Sequence, residues 1–230
     1  MTREIQDHYF HLAKREGYLS RAAYKLIEID DRKKIMRPGS RVLDCGAAPG
    51  SWLQVAAMRI GPNGIVVGID LQPIKHRFNE PNIRTVHGDL TQTVPETLLQ
   101  TAGDSGRLFD VILSDMAPNT TGDPFSDHHR SARLCETLLE LCPSLLRPGG
   151  NLVMKVFEGE AYPELLKHAA AAFQTVKGFK PKASRSESAE MYIVAQGFKP
   201  QPAAEQSLRE DALAPPRPRP VPPRGGWKTT

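Results

Sequence analysis

Four aspartates each close a short apolar run: Asp44, Asp70, Asp89 and Asp115. A lysine, Lys155, sits inside a fifth run. If those runs are neighbouring strands, four carboxylates meet on one rim and repel unless a ligand or a cation hydrogen-bonds them. Turn and helix capping explains one or two such groups, not four. The first aspartate opens the loop Asp44-Cys45-Gly46-Ala47-Ala48-Pro49-Gly50-Ser51, with Trp52 next. Small residues before a helix start let a ligand approach the backbone closely. A dinucleotide site would need a second glycine where Ala48 stands, and Pro49 removes a backbone donor. No phosphate-binding GxxxxGK[ST] run occurs either. Asp70, followed by Leu71, lies 24 residues beyond Gly46, the place where a carboxylate commonly holds a ribose diol. Asp89, followed by Leu90, is placed to accept from an adenine amino group. Ribose and adenine without phosphates describe S-adenosylmethionine.

The elements that would position these groups alternate along the chain. Ser20 reads as the N-cap of a helix over 21–35, which Pro38-Gly39 separate from a strand at 41–45. A helix over 51–60 and a turn at 61–64 lead to strands at 65–69, 83–87 and 109–114. A helix over 127–146 is stopped by Pro148-Gly149-Gly150. A strand at 152–157, a helix at 161–173 and strands at 174–179 and 190–196 follow. Continuous apolar runs suit strands covered on both faces. The pattern predicts an α/β Rossmann-like fold: seven strands, mostly parallel, with an antiparallel last strand and ligands at the strand C-termini. Residues 1–200 form the domain. Residues 201–230, with seven prolines, form a tail that cannot bury enough surface to order itself.

Of the chain's net +4, residues 1–41 carry +4, 42–173 carry −5 and 174–199 carry +3. Basic ends around an acidic middle suit a polyanionic partner if the fold joins them. Cys45, Cys135 and Cys142 form no CxxC pair, so neither a disulfide framework nor a zinc site is expected, and no metal. No apolar run spans a bilayer and the N-terminus lacks an apolar leader core. The expectation is a cytoplasmic, membrane-free monomer.

The run LDCGAAPGSWLQVA, with SDMAPN (114–119), VMKVFEGE (153–160), SRAAYKL (20–26) and AEMYIVA (189–195), resembles the FtsJ/RrmJ family of ribose 2′-O-methyltransferases. The likeness covers roughly residues 18–200. Within the family it is nearest the bacterial branch that methylates a uridine of large-subunit (23S) ribosomal RNA. That branch often has glycine at Ser51 and a more basic segment at Glu187-Ser188-Ala189. The resemblance implies a class I S-adenosylmethionine-dependent fold and a catalytic tetrad of Lys25, Asp115, Lys155 and Glu190. Asp44, Gly46, Ala47, Pro49, Gly50, Ser51, Trp52, Asp70, Leu71, Asp89, Leu90 and Asp115 would hold the cofactor. Lys33, Lys34, Arg37, Lys177, Lys180, Lys182 and Arg185 are candidate phosphate contacts, though each alone could be an ordinary surface charge.

A ribose hydroxyl keeps its proton at neutral pH, so the enzyme must align oxygen, methyl and sulfur and help that proton leave. Lys155 is the candidate for orienting or deprotonating the hydroxyl. Desolvation and Lys25 favour a neutral amine, whereas Asp115 and Glu190 favour the ammonium. Other targets, a tRNA or an mRNA cap, would use the same tetrad. A non-catalytic ribosome-assembly factor would not need it, and a small-molecule methyltransferase would not need basic ends.

Overall fold

A computed structural model describes residues 2–184 and 188–200, with side chains from His8 onward. The expected proline-rich tail and Arg185 lie outside the described residues. The apolar runs form the strands β1 (Arg41–Cys45), β2 (Ile65–Asp70), β3 (Ile83–His87), β4 (Phe109–Ser114), β5 (Leu146–Phe157), β6 (Phe173–Phe179) and β7 (Glu190–Phe198). They make one seven-stranded sheet in the order β3-β2-β1-β4-β5-β7-β6. β7 alone runs opposite to the other six strands, and it lies between β5 and β6.

Helices cover both faces. On one, α2 (Ala23–Lys33) and α3 (Ser51–Ile60) bury Leu26, Ile29, Leu53 and Ile60 against Val42, Val66, Val153 and Tyr192. On the other, α4 (Pro95–Thr101), α5 (Pro124–Leu145) and α6 (Tyr162–Ala172) bury Leu98, Cys135, Leu138 and Leu165 against Leu43, Ile112 and Met154. Each fully buried side chain of leucine size contributes about 1.5–3 kcal/mol, which is why the two-sided strands are the most continuously apolar segments of the chain.

Several boundaries differ from those the sequence suggests. A helix α1 (Thr2–Glu16) precedes the expected elements, and α4 fills a stretch for which no element was expected. Ser20 is not the N-cap of α2; that position is Ala22, with no side-chain cap. The backbone from Ser20 first makes tight three-residue turns, and the Ser20 hydroxyl accepts from the Ala22 amide and pairs with Ser51 Oγ at 2.9 Å. Pro148-Gly149-Gly150 do not separate α5 from its strand; β5 starts at once and absorbs them in a register shift against β4. No described helix is long and apolar enough to cross a membrane.

Candidate active site

The parallel strands bring their C-termini to one rim. There a cavity of about 280 Å³ is lined by Gly46 and Ala48 after β1, Asp70 and Leu71 after β2, Asp89 and Leu90 after β3, and Asp115 after β4. The loop backbone is tied inward rather than offered to a phosphate. The Gly46 and Ala47 amides donate to Ile69 O, and the Ala48 amide donates to Asp70 Oδ2 at 2.9 Å. Gly46 has φ +77° and a Cβ there would stand 2.6 Å from Met116 Cγ, so only glycine allows this approach.

The four rim aspartates separate into distinct roles. Asp70 accepts from the Ala48 and Gln72 amides and still faces the cavity. Asp89 accepts from the Thr91 amide and hydroxyl in a local turn. Local turn contacts thus account for two of the four, Asp70 and Asp89, within the one or two that capping was expected to explain. Asp44 lies beneath the cavity, fully buried, and neither carboxylate oxygen has a hydrogen-bond partner. Burial first, then the charges of Asp115 and Asp70, push its carboxyl well above the usual range.

Asp115 belongs to two structures at once. It lines the cavity, and it starts a chain of contacts through the other three expected catalytic residues. Lys155 Nζ lies 3.0 Å from Asp115 Oδ1 and donates to the Asp115 carbonyl at 2.6 Å. Glu190 Oε1 is 4.0 Å from the same ammonium, and Glu190 Oε2 accepts from Lys25 Nζ at 3.0 Å. Residues 25, 115, 155 and 190 come from α2, the end of β4, β5 and the start of β7. Both lysine side chains are 8% exposed and both carboxylates 20%, so the charges are mostly shielded but reachable.

A fifth member, Tyr192, was missed in the sequence. Its hydroxyl donates to Asp115 Oδ1 at 2.7 Å, and burial pushes the phenol well above its ordinary value. The period-two alternation of a strand puts Tyr192 on the face of Glu190, which was the available signal. Met116, Leu134 and Thr137 also line the cavity; the last two come from α5, whose docking no local pattern reveals.

Not every expected cofactor contact lines the cavity. Trp52 points into the core, donating from Nε1 to Ala22 O at 2.8 Å, its ring 5.8 Å from that of Tyr192. Ser51 pairs with Ser20, and Gly50 is closed over by Phe78 and Leu19. Ala47 is buried and Pro49 exposed. These residues shape the loop from behind.

The basic candidates split as well. Lys33 Nζ sits 5.6 Å from the centre of the Phe179 ring, and Lys177 shares the face of β6 that carries Phe179. Lys180 donates to Ser188 O, and the Lys182 amide donates to Glu28 on α2, one turn from Lys25. Lys180 and Lys182 thus lie beside β7 and α2, while Lys33 springs from the far end of α2, where the Gln196 side-chain amide donates to its carbonyl, and only its ammonium reaches back to Phe179. Lys34 and Arg37 instead follow α2 on the way into β1. They lie at the opposite end of the sheet from the rim, because α2 runs away from Lys25.

The chain matches the FtsJ-like methyltransferase family over residues 18–198. It belongs to that family. A relative from Syntrophobacter fumaroxidans, named ribosomal RNA large subunit methyltransferase E, is 50% identical over 194 residues, 84% of this chain and 96% of its own. Another of that name, from Oleidesulfovibrio alaskensis, is 44% identical over 91% of this chain and its own full length. A Plasmodium falciparum structure assigned as a ribosomal RNA methyltransferase superposes with a TM-score of 0.69 at 30% identity, covering 80% of this chain and all of that one. Aeropyrum pernix fibrillarin, solved with bound S-adenosylmethionine, shares the fold with a TM-score of 0.53 at 18% identity over 75% of each chain.

As an FtsJ-like methyltransferase the protein takes S-adenosylmethionine as its cofactor. The cavity fits that group. Asp70, Asp89 and Asp115 are among its lining residues and, among the described residues, no lysine or arginine is, so it suits a cationic, phosphate-free ligand and opposes a pyrophosphate.

Proposed function

We propose that the protein transfers a methyl group to the ribose 2′-hydroxyl of a uridine in 23S ribosomal RNA of the large subunit. The observation that carries this reading is the unbroken contact chain Lys25–Glu190–Lys155–Asp115, whose last member lines the cofactor cavity. The names of the relatives from Syntrophobacter and Oleidesulfovibrio support the ribosomal target.

In this reading Asp70 and Asp89 hold the ribose and adenine ends of the cofactor, and Leu71 and Leu90 supply apolar contacts. The bound cofactor supplies an electrophilic methyl group on a cationic sulfur. Lys155 orients the 2′-hydroxyl and stabilises negative charge on the oxygen as the new O–methyl bond would form, the sulfur–methyl bond would break to leave a neutral thioether, and the hydroxyl proton would pass to water. Asp115 and Glu190 fix the Lys155 ammonium from two sides, and Lys25 fixes Glu190. Tyr192 holds the Asp115 carboxylate from the buried side. Lys33, Lys177, Lys180 and Lys182 meet RNA phosphates, which position the substrate without reading its sequence. The same reading places the protein in the cytoplasm with the ribosome, acting as a monomer, with residues 201–230 as a tail outside the domain.

The test is transfer of labelled methyl from the cofactor to large ribosomal subunits lacking the modification, with the modified nucleotide mapped. Methylation of a uridine ribose is expected, and Lys155→Ala abolishes it while cofactor binding survives. Methylation confined to tRNA or capped RNA, or full activity in Lys155→Ala, overturns the reading.

A further inference from the structure

β5 outruns β4. Their pairing ends at Ser114 with Met154, so Lys155, Val156 and Phe157 keep a strand partner only on the β7 side. In a strand, the backbone groups of alternate residues point to the same edge. Lys155 and Phe157 therefore turn theirs toward the vacated β4 side, where a buried group left unpaired is costly.

Side chains of α5 fill that edge. Cys135 Sγ donates to Lys155 O at 3.1 Å, Ser131 Oγ accepts from the Phe157 amide at 2.9 Å, and His128 Nδ1 meets Phe157 O at 2.6 Å. The three residues are spaced at helical repeats on one buried stripe of α5. Ser131 is itself aimed by donating to His128 O at 2.8 Å.

The histidine's tautomer follows from its partners. Phe157 O can only accept, so Nδ1 carries the proton. The Ala161 amide, 2.9 Å from Nε2, can only donate, so Nε2 offers its lone pair. His128 thus joins the end of β5 to the first turn of α6. Gly159 lets the chain pass between them, since a Cβ there would lie 2.5 Å from the His128 ring. Burial pushes the Cys135 thiol up to about 12, which keeps it a donor.

We infer that His128, Ser131 and Cys135 are positioning residues for Lys155: they replace a missing strand and fix the tip of β5, and so the ammonium, against Asp115 and Glu190. None of the three is among the residues that line the cavity. The inference rests on the proposed role of Lys155 in methyl transfer. A displacement near 1 Å at a reacting group can lower a rate about 100-fold. Ser131→Ala, which leaves the Phe157 amide unpaired, is expected to lower kcat about 10-fold, and His128→Leu by up to about 100-fold.

The experiment measures kcat, the KM for ribosomal subunits and the Kd for cofactor in Ser131→Ala, Ser131→Thr, His128→Leu and Lys155→Ala, all well below their unfolding midpoints. It also follows hydrogen exchange at the Phe157 amide. A positioning role predicts that kcat falls with KM and cofactor Kd unchanged. It also predicts faster exchange at Phe157 in Ser131→Ala, with both restored by Ser131→Thr, which keeps the hydroxyl. If Ser131→Ala and His128→Leu lose stability but the folded enzyme keeps its kcat, the inference fails. An inactive Lys155→Ala beside fully active α5 variants sinks this inference alone. An active Lys155→Ala sinks the reading of the tetrad beneath it.

Discussion

Removing one oxygen atom, in Tyr192→Phe, isolates the buried support of the tetrad. The ring stays where it packs, with Trp52 5.8 Å away, because Phe has the same shape. What is lost is the 2.7 Å hydrogen bond to Asp115 Oδ1. A hydrogen bond to a charged group contributes about 1.5–3 kcal/mol. The Asp115 oxygen keeps Lys155 at 3.0 Å, so it is not orphaned and the lower half of that range applies. For a domain of this size about 2 kcal/mol moves the midpoint by roughly 4–8 °C. Asp115 also borders the cofactor cavity, so a carboxylate freed to rotate should lower kcat as well as stability. Thermal unfolding of the apo protein and single-turnover methyl transfer measure the two effects. A variant with wild-type midpoint and wild-type rate would show that the phenol holds nothing in place, and the proposed buried support would be refuted.

The other expectations concern charge. Asp44 has a raised pKa in the folded protein, so its contribution to stability is fully present below the ordinary carboxylate value and is lost as pH rises toward the folded one. Within that window one proton changes stability by about 1.4 kcal/mol per pH unit; urea unfolding should show Asp44→Asn with a shallower pH dependence, and parallel curves would count against it. Asp127 has the opposite sign: the Thr121 amide bond, foremost, holds its carboxyl below the usual range, with Arg130 assisting. The order it gives residues 121–122 is complete at neutral pH and lost in acid as the carboxyl protonates, so the protection factors of the Thr121 and Gly122 amides, measured against unstructured peptide at the same pH, should fall there, and at neutral pH in Asp127→Asn. If they contact phosphates, Lys177→Ala and Lys182→Ala should each reduce the salt slope of rRNA binding by about one. Lys34→Ala and Arg37→Ala, at the far end of the sheet, should leave that slope unchanged.

The sequence revealed what buried strands make plain. β1, β2 and β4 start and stop within a residue of their apolar runs, because a strand covered on both faces has no polar position to blur its ends. α1 escaped notice because its sequence, TREIQDHYFHLAKRE, is largely polar. α4 is only seven residues long, too short for a helical period to emerge. The place of β7 was not legible: an apolar run looks the same at a sheet's edge and between two strands. For the tetrad, family likeness supplied the four charged residues, while Tyr192 was not singled out in the sequence. Asp44 illustrates the converse, since a strand-end carboxylate announces a site without saying whether it faces the ligand or supports the floor beneath it. Lys34 and Arg37 entered the basic set through charge alone, and charge does not say at which end of a helix a residue emerges.

The insertion of β7 between β5 and β6 has a consequence for assembly. Asp115 and Lys155 are delivered by strands formed from the middle of the chain, whereas Glu190 and Tyr192 arrive on the final strand. Until that strand threads between its neighbours, β5 has an unpaired edge along residues 151–157, and Lys25 and Asp115 each lack a partner. Such long-range pairing is slow to form. A partly folded or truncated chain could therefore display its cofactor loop while lacking half of the groups around Lys155. If the four charged residues act as proposed, completion of the sheet and the onset of methyl transfer become one event.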